Sequence, residues 1–252
     1  MNDKDSLYNI FLRFINMKLH SFSVILLAVF FASCLCEGIN HAAARNESQL
    51  AELNADVTKS FGEICSQNGF AFQMHQVVTQ DGYVLSVFRI PGTLNQHAAN
   101  GKVALLQHGI LDSADAFIMH YADKAPAFQL VRAGYDVWLS NSRGNKYSHS
   151  NTHLSPLWDA KDFFDFSFSE MGRFDLAYSE AVIEYIRSET GVSKIAYVAH
   201  SQGTTEMIYD LSKDSAWFKE RLSAVAFLGP VATLKHCSSG ILNIMSTLPA
   251  LI

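Results

Sequence analysis

Lys194-Ile195-Ala196-Tyr197-Val198-Ala199-His200-Ser201-Gln202-Gly203-Thr204 is the stretch on which the reading of this chain turns. Residues 194–198 form a short apolar run with β-branched members, the pattern of a buried strand. From Thr204 to Leu211, the apolar Met207, Ile208 and Leu211 fall at i, i+1 and i+4, one face of a helix. Between them lies small-x-Ser-x-Gly, with Ala199, Ser201 and Gly203 at the defined positions. Strand, tight turn and helix around that pattern make the setting of a nucleophile elbow. A serine held there has Oγ exposed, and the helix after it aims N-terminal amides at developing negative charge. Small residues at 199 and 203 let strand and helix approach closely, with Ala199 where glycine is usual. The same turn can carry a serine with no chemical role, and the pattern alone leaves both readings open.

Outward from this stretch, short strands alternate with helices. Phe174 to Arg187 is predicted as one amphipathic helix with Leu176, Ala177, Ala181, Ile183, Tyr185 and Ile186 toward the core, closed by Gly191. Ala224 to Leu228 is predicted as a buried strand, ended by Gly229-Pro230. Upstream, Val103 to Leu106 is a strand that runs into Gln107-His108-Gly109-Ile110-Leu111-Asp112. Ala127 to Ala133 reads as a helix stopped by Gly134, and Asp136 to Leu139 as a strand before the polar turn Ser140 to Asn145. Phe72 to Val78 and Tyr83 to Ile90 flank Gln80-Asp81-Gly82, a hairpin signal. The pattern predicts an α/β fold: a mostly parallel sheet with helices on both faces, entered through an antiparallel hairpin, in the order of an α/β-hydrolase core.

The 252 residues are 49% hydrophobic and 17% charged, with a net charge of −5. That is an ordinary globular composition, and its mild acidity gives no case for a nucleic-acid partner. Nothing in the pattern requires a metal or a cofactor. Residues 17–36 read as a signal peptide: Met17-Lys18, an apolar run from Val24 to Ala32, then small residues. The run is short against the roughly 20 apolar residues of a membrane span. Residues 1–16 read as an upstream extension, with Met17 as an alternative start. Residues 37–60 read as a propeptide or flexible arm, 61–230 as the core, and 231–252 as the start of a cap. Asn46-Glu47-Ser48 is a glycosylation acceptor, consistent with secretion or a lysosomal or vacuolar lumen. Of the four cysteines, Cys65 and Cys237 lie beyond the signal, and could pair in an oxidising compartment.

Six motifs then occur in a fixed order: Val78-Thr79-Gln80-Asp81-Gly82-Tyr83-Val84-Leu85, Leu106-Gln107-His108-Gly109-Ile110-Leu111-Asp112-Ser113, Gly134-Tyr135-Asp136-Val137-Trp138-Leu139, Asn141-Ser142-Arg143-Gly144-Asn145, Phe166-Ser167-Phe168-Ser169-Glu170-Met171-Gly172, and His200-Ser201-Gln202-Gly203-Thr204. In this set the chain resembles the acid lipase family, the gastric and lysosomal acid lipases with their plant and insect relatives. The resemblance covers roughly residues 61–247. It implies a lipase acting on neutral lipid esters, triacylglycerol or sterol ester, at a lipid–water interface through a serine acyl-enzyme.

The resemblance makes Ser201 the nucleophile and the backbone amides of Gln202 and Ile110 the oxyanion hole. It makes His108 a loop-shaping residue, His200 a neighbour turned away from the serine, and Arg143 an ion-pair or loop anchor. The Phe163 to Phe168 aromatics are expected in core or cap packing, with a lipid groove as the other reading.

A serine of this kind needs a base and a carboxylate that follow it in the order acid, then His. After Ser201 the chain offers Glu206, Asp210, Asp214, Glu220 and one histidine, His236. None falls where the resemblance puts the triad Asp and His, so neither is identified in this chain. The expectation is an incomplete form of a lipase, without the last sheet strands and most of the cap. The alternatives are a non-catalytic lipase-like protein that binds lipid or a partner, and another α/β-hydrolase chemistry such as a peptidase or small-ester esterase.

Overall fold

Val103 to Gln107 are all buried, as five consecutive residues can be only in the middle of a sheet covered on both faces. The computed structural model describes residues 56–98, 101–177, 181–233 and Gly240. Six strands form one sheet: β1 (Gln73–Val78), β2 (Val84–Ile90), β3 (Val103–Gln107), β4 (Asp136–Leu139), β5 (Ile195–His200) and β6 (Leu222–Leu228), in the order β1-β2-β4-β3-β5-β6. β1 pairs with β2, and β2 with β4, antiparallel; β4, β3, β5 and β6 run parallel. This is the α/β-hydrolase arrangement that the sequence predicts.

Side chains alternate across the sheet and build two cores. Val103 and Leu105 enter one, with Trp138, Tyr197 and Ala199; Ala104 and Leu106 enter the other, with Val137 and Leu139. The first core is closed by α5 (Val182–Thr190), α6 (Gln202–Lys213) and α7 (Ser215–Arg221) through Ile183, Ile186, Met207 and Phe218. The second is closed by α1 (Phe61–Gln67) and α2 (Pro126–Arg132) through Phe61, Ile64, Phe128 and Val131. Two short helices, α3 (Ala160–Phe163) and α4 (Phe168–Glu170), carry the aromatic stretch between β4 and α5.

Three expectations change. The single helix over Phe174 to Arg187 does not form. A π-helical turn, Met171–Leu176, continues from α4, Ala177 is extended (φ −107°, ψ 168°), and α5 starts only after the extended Ala181. Arg143 supplies the reason: it takes the Asp175 carboxylate into a buried ion pair, and helical periodicity carries no sign of that contact. Leu176, Ala177, Ala181, Ile183 and Ile186 are buried as expected, while Tyr185 is half-buried.

β6 is not a buried strand either. Among the described residues it pairs only with β5, and most of its side chains are exposed, Val225 and Leu228 among them.

Residues 56–60, read as part of an arm, belong to the described structure. Ser60 caps α1 in a capping box with Glu63, and Lys59 pairs with Asp56. Cys65 is a free thiol packed in the second core, and burial pushes its pKa up to about 12. Cys237 and His236, the signal segment and Asn46 lie outside the described residues.

Candidate active site

Ser201 sits where β5 ends and α6 begins, with φ 50° and ψ −116°. A non-glycine residue in the left-handed half of φ space carries strain of order 1–3 kcal/mol and persists only where its surroundings impose it. Here Ser201 N donates to Leu228 O on β6 at 3.0 Å. Its own carbonyl accepts from Thr204 N at 2.9 Å and from Thr204 Oγ1 at 2.6 Å. Thr204 Oγ1 in turn accepts from Val231 N at 2.9 Å. The first N–H groups of α6, those of Gln202 and Gly203, have no carbonyl four residues back to bond.

Gly203 fixes how closely the helix meets the neighbouring strand. A Cβ at this position would lie 2.6 Å from Gln107 Cγ and 2.7 Å from the His108 carbonyl oxygen. Gly203→Ala should therefore cost about 1–3 kcal/mol in urea unfolding through overpacking. Ala199, two residues before the serine, is fully buried in the first core.

The loop after β3 faces this turn. A Cβ on Gly109 would lie 3.0 Å from Ser201 Cβ and 3.3 Å from His200 Nδ1, so loop and serine are immediate neighbours. His108 shapes that loop. It is buried, its Nδ1 lies 2.7 Å from the Gly109 carbonyl, and its Nε2 accepts from Ser142 N at 3.0 Å. One nitrogen must donate and the other accept, so the ring is the neutral Nδ1–H tautomer. Burial holds its pKa below the ordinary histidine value. With both nitrogens engaged, His108 has none to offer the serine hydroxyl. Ile110 and Leu111 follow it into the open, Leu111 with φ 58°. His200 is exposed.

Arg143 anchors the loop after β4, as expected. Its side chain is 1% exposed, pairs with Asp175 Oδ1 at 2.7 Å and Asp81 Oδ2 at 2.5 Å, and lies 4.0 Å above the Tyr83 ring. Asp175 Oδ2 also accepts from Arg143 N at 3.0 Å. The hairpin turn, the loop after β4 and the π turn are thus tied to one cation. Asp175 was not singled out in the sequence, and its place two residues after Arg173 gives no signal of it.

A cavity of about 700 Å³ opens over these elements, with Ile110, Phe164, Phe166, Phe168, Met171 and Gln202 in its lining. The aromatic stretch therefore divides. Phe163 is fully buried in the first core, whereas Phe164 and Phe168 are more than 40% exposed and face the cavity. The reason for this departure from a purely packing role is the short α3, which turns the chain after Phe163.

The late carboxylates have other partners. Asp214 caps α7 by accepting from Trp217 N at 3.0 Å, and Glu220 is an exposed neighbour of Arg221. Glu206 and Asp210 lie one turn apart on α6 and are both buried, 1% and 4% exposed. Burial pushes Glu206 well above the ordinary carboxyl range and lifts Asp210 to about 6. Their spacing on the face of Met207 is the signal that could have marked them as buried.

Comparison with known proteins places these features in a series. The profile of a partial alpha/beta-hydrolase lipase region matches residues 61–121, and that of the alpha/beta hydrolase fold matches residues 103–249. The chain is 41% identical over 188 residues to gastric triacylglycerol lipase from Rattus norvegicus, covering 74% of this chain and 46% of that protein. It is 36% identical over 193 residues to lysosomal acid lipase/cholesteryl ester hydrolase from Homo sapiens, covering 76% of this chain and 47% of that protein. Among solved structures, an esterase from Pyrococcus furiosus aligns with TM-score 0.48 at 18% identity, over 73% of this chain and 58% of that one. The chain spans about half the length of the curated relatives it matches.

Proposed function

The chain belongs to the alpha/beta-hydrolase fold family, and from that premise we propose that it is the serine-bearing half of a lipase that hydrolyses carboxylic esters of neutral lipids, triacylglycerol or sterol ester. The observation that carries the reading is the strained Ser201 between β5 and α6, one residue before the first open amides of that helix, with the next residue, Gln202, lining a cavity that Phe164, Phe166 and Phe168 share with polar side chains. The names of the relatives, a triacylglycerol lipase and a cholesteryl ester hydrolase, support the substrate class.

In this reading Ser201 Oγ attacks the ester carbonyl carbon, and its proton passes to a histidine outside the described residues. The carbonyl oxygen becomes an oxyanion held by the N–H groups of Gln202 and Ile110. Collapse breaks the bond to the alcohol oxygen, which leaves with the proton, and water then releases the fatty acid from the serine ester. The acyl chain lies along Phe164, Phe166 and Phe168. The protein meets its substrate at a lipid–water interface, in a secretory or lysosomal lumen.

Incubation of the purified natural protein with emulsified triacylglycerol or cholesteryl ester should release titratable fatty acid. A fluorophosphonate should stop the release and appear on Ser201 by peptide mass spectrometry. Absence of both fatty acid and phosphonylated Ser201 would leave the non-catalytic, lipid-binding alternative.

A further inference from the structure

Leu157 and Trp158 are 73% and 84% exposed, and the indole stands further into solvent than any other large apolar side chain among the described residues. The turn that carries them is closed. Ser155 N donates to Asp159 Oδ2 at 2.9 Å, and Asp159 N donates to Ser155 O at 2.8 Å. Inside it, Ser155 Oγ accepts from Leu157 N at 3.3 Å and from Trp158 N at 3.2 Å. Both ends are held as well. Leu154 packs against the first core, and Phe163, whose N donates to Asp159 O at 2.8 Å, is fully buried in it. The backbone therefore imposes the exposure, and the two side chains form a convex apolar tip.

That tip stands at the serine end of the sheet. β2 is antiparallel to β4, while β4, β3 and β5 are parallel, so β2 begins at the end where β5 gives way to Ser201. The hairpin turn before β2 lies there too, and the loop is tied to it. Thr152 N donates to Gly82 O at 2.8 Å, and Asn151 Nδ2 donates to Asp81 O at 3.2 Å. On the other side of the tip, α3 runs straight into Phe164, which lines the cavity.

We propose that Leu157 and Trp158 are an anchor that inserts into the surface of a lipid particle whose coat carries no net charge, and so holds the serine end of the sheet against the substrate phase. A convex tip offers no groove for a segment of chain; it fits a partner that deforms around it, as lipid does. Tryptophan suits the boundary, with an apolar ring and an N–H that can meet the head groups. The neighbouring charges select the coat. Between residues 151 and 168 the charged side chains are Asp159, Lys161, Asp162 and Asp165, all exposed, so three acids stand against one cation. An anionic surface is repelled by that excess, and a zwitterionic one is not. The choice of lipid as the partner rests on the lipase reading above, but attachment requires no turnover.

Vesicles of phosphatidylcholine brominated along the acyl chains present such a surface without triacylglycerol or sterol ester, so a failure here is distinct from a failure of the proposed activity. The natural protein should float with them at neutral pH, with part of its tryptophan fluorescence quenched. Leu157→Ser combined with Trp158→Ser should bind about tenfold or more weakly, with unchanged thermal unfolding. Trp158→Phe should still bind but lose the quenching, which identifies the inserted ring. Met74→Ser, at a 61% exposed position of β1, should bind as the natural protein does. Vesicles containing about one third phosphatidylserine should bind less at low salt, and salt should narrow the difference. A natural protein that does not float, unchanged binding in the double variant, quenching that persists in Trp158→Phe, or binding that rises with phosphatidylserine would overturn the proposal. So would a double variant that turns a dimer into a monomer, because the tip would then meet a second copy.

Discussion

If Ser201 is the nucleophile proposed above, Ser201→Ala should remove roughly 10⁴- to 10⁶-fold of the proposed ester hydrolysis, the loss typical of a missing triad nucleophile. The size follows from the chemistry. Without Oγ there is no acyl-enzyme, and the proposed oxyanion amides of Gln202 and Ile110 could only assist direct attack by water. Stability should move little, because the Ser201 contacts that hold the turn are made by its backbone N–H and carbonyl. Fatty-acid release from an emulsion, measured beside thermal unfolding of the same preparation, separates the two effects. Retained hydrolysis in the alanine variant would assign the chemistry to another residue and return Ser201 to a purely structural turn.

Arg143→Met should be strongly destabilising, by about 3–5 kcal/mol in urea unfolding at neutral pH. Methionine fills part of the space over Tyr83 but leaves Asp175, whose side chain is 3% exposed, as a buried carboxylate without its cation. Asp81 can turn toward water, since its side chain is 30% exposed. Asp175→Asn added to Arg143→Met should therefore recover much of the loss, whereas Asp81→Asn should recover little. Equal recovery by the two would show that the hub is not organised about the Arg143–Asp175 pair.

Local pattern made most of the scaffold legible. The runs Val103–Leu106, Asp136–Leu139 and Ile195–Val198 announce themselves because a strand buried on both faces must be apolar almost throughout. The turn at Ser201 was legible for a different reason, since a close strand–helix approach restricts residues 199 and 203 to small side chains. What escaped depends on partners far away in the chain. Asp175 ends a helix early because of Arg143, 32 residues before it. Phe164 and Phe168 are hydrophobic on the same terms as Phe163, and only the geometry of α3 sends them to a cavity instead of a core. Glu206 and Asp210 share the face of Met207, a local sign of burial that their charge outweighed until α6 was seen packed against Gly172.

The strand order has a consequence for how the molecule is made. β4 lies between β2 and β3, so the strand pairings of β1-β2-β4-β3 are all made by residues up to 139, while the face that bears Val103, Leu105 and Trp138 is covered only when α5, α6 and α7 arrive. β5 must then find the open side of β3, and Ser201 N gains its acceptor only when Leu228 of β6 arrives. At ordinary translation speeds that interval is on the order of ten seconds. During it the unpaired edge of β3 is a site for wrong pairing that a chaperone would need to shield. In chain order, the residue that accepts from Ser201 N is thus the last of the described sheet to leave the ribosome, so the left-handed turn at Ser201 can be held in this way only once β6 is complete.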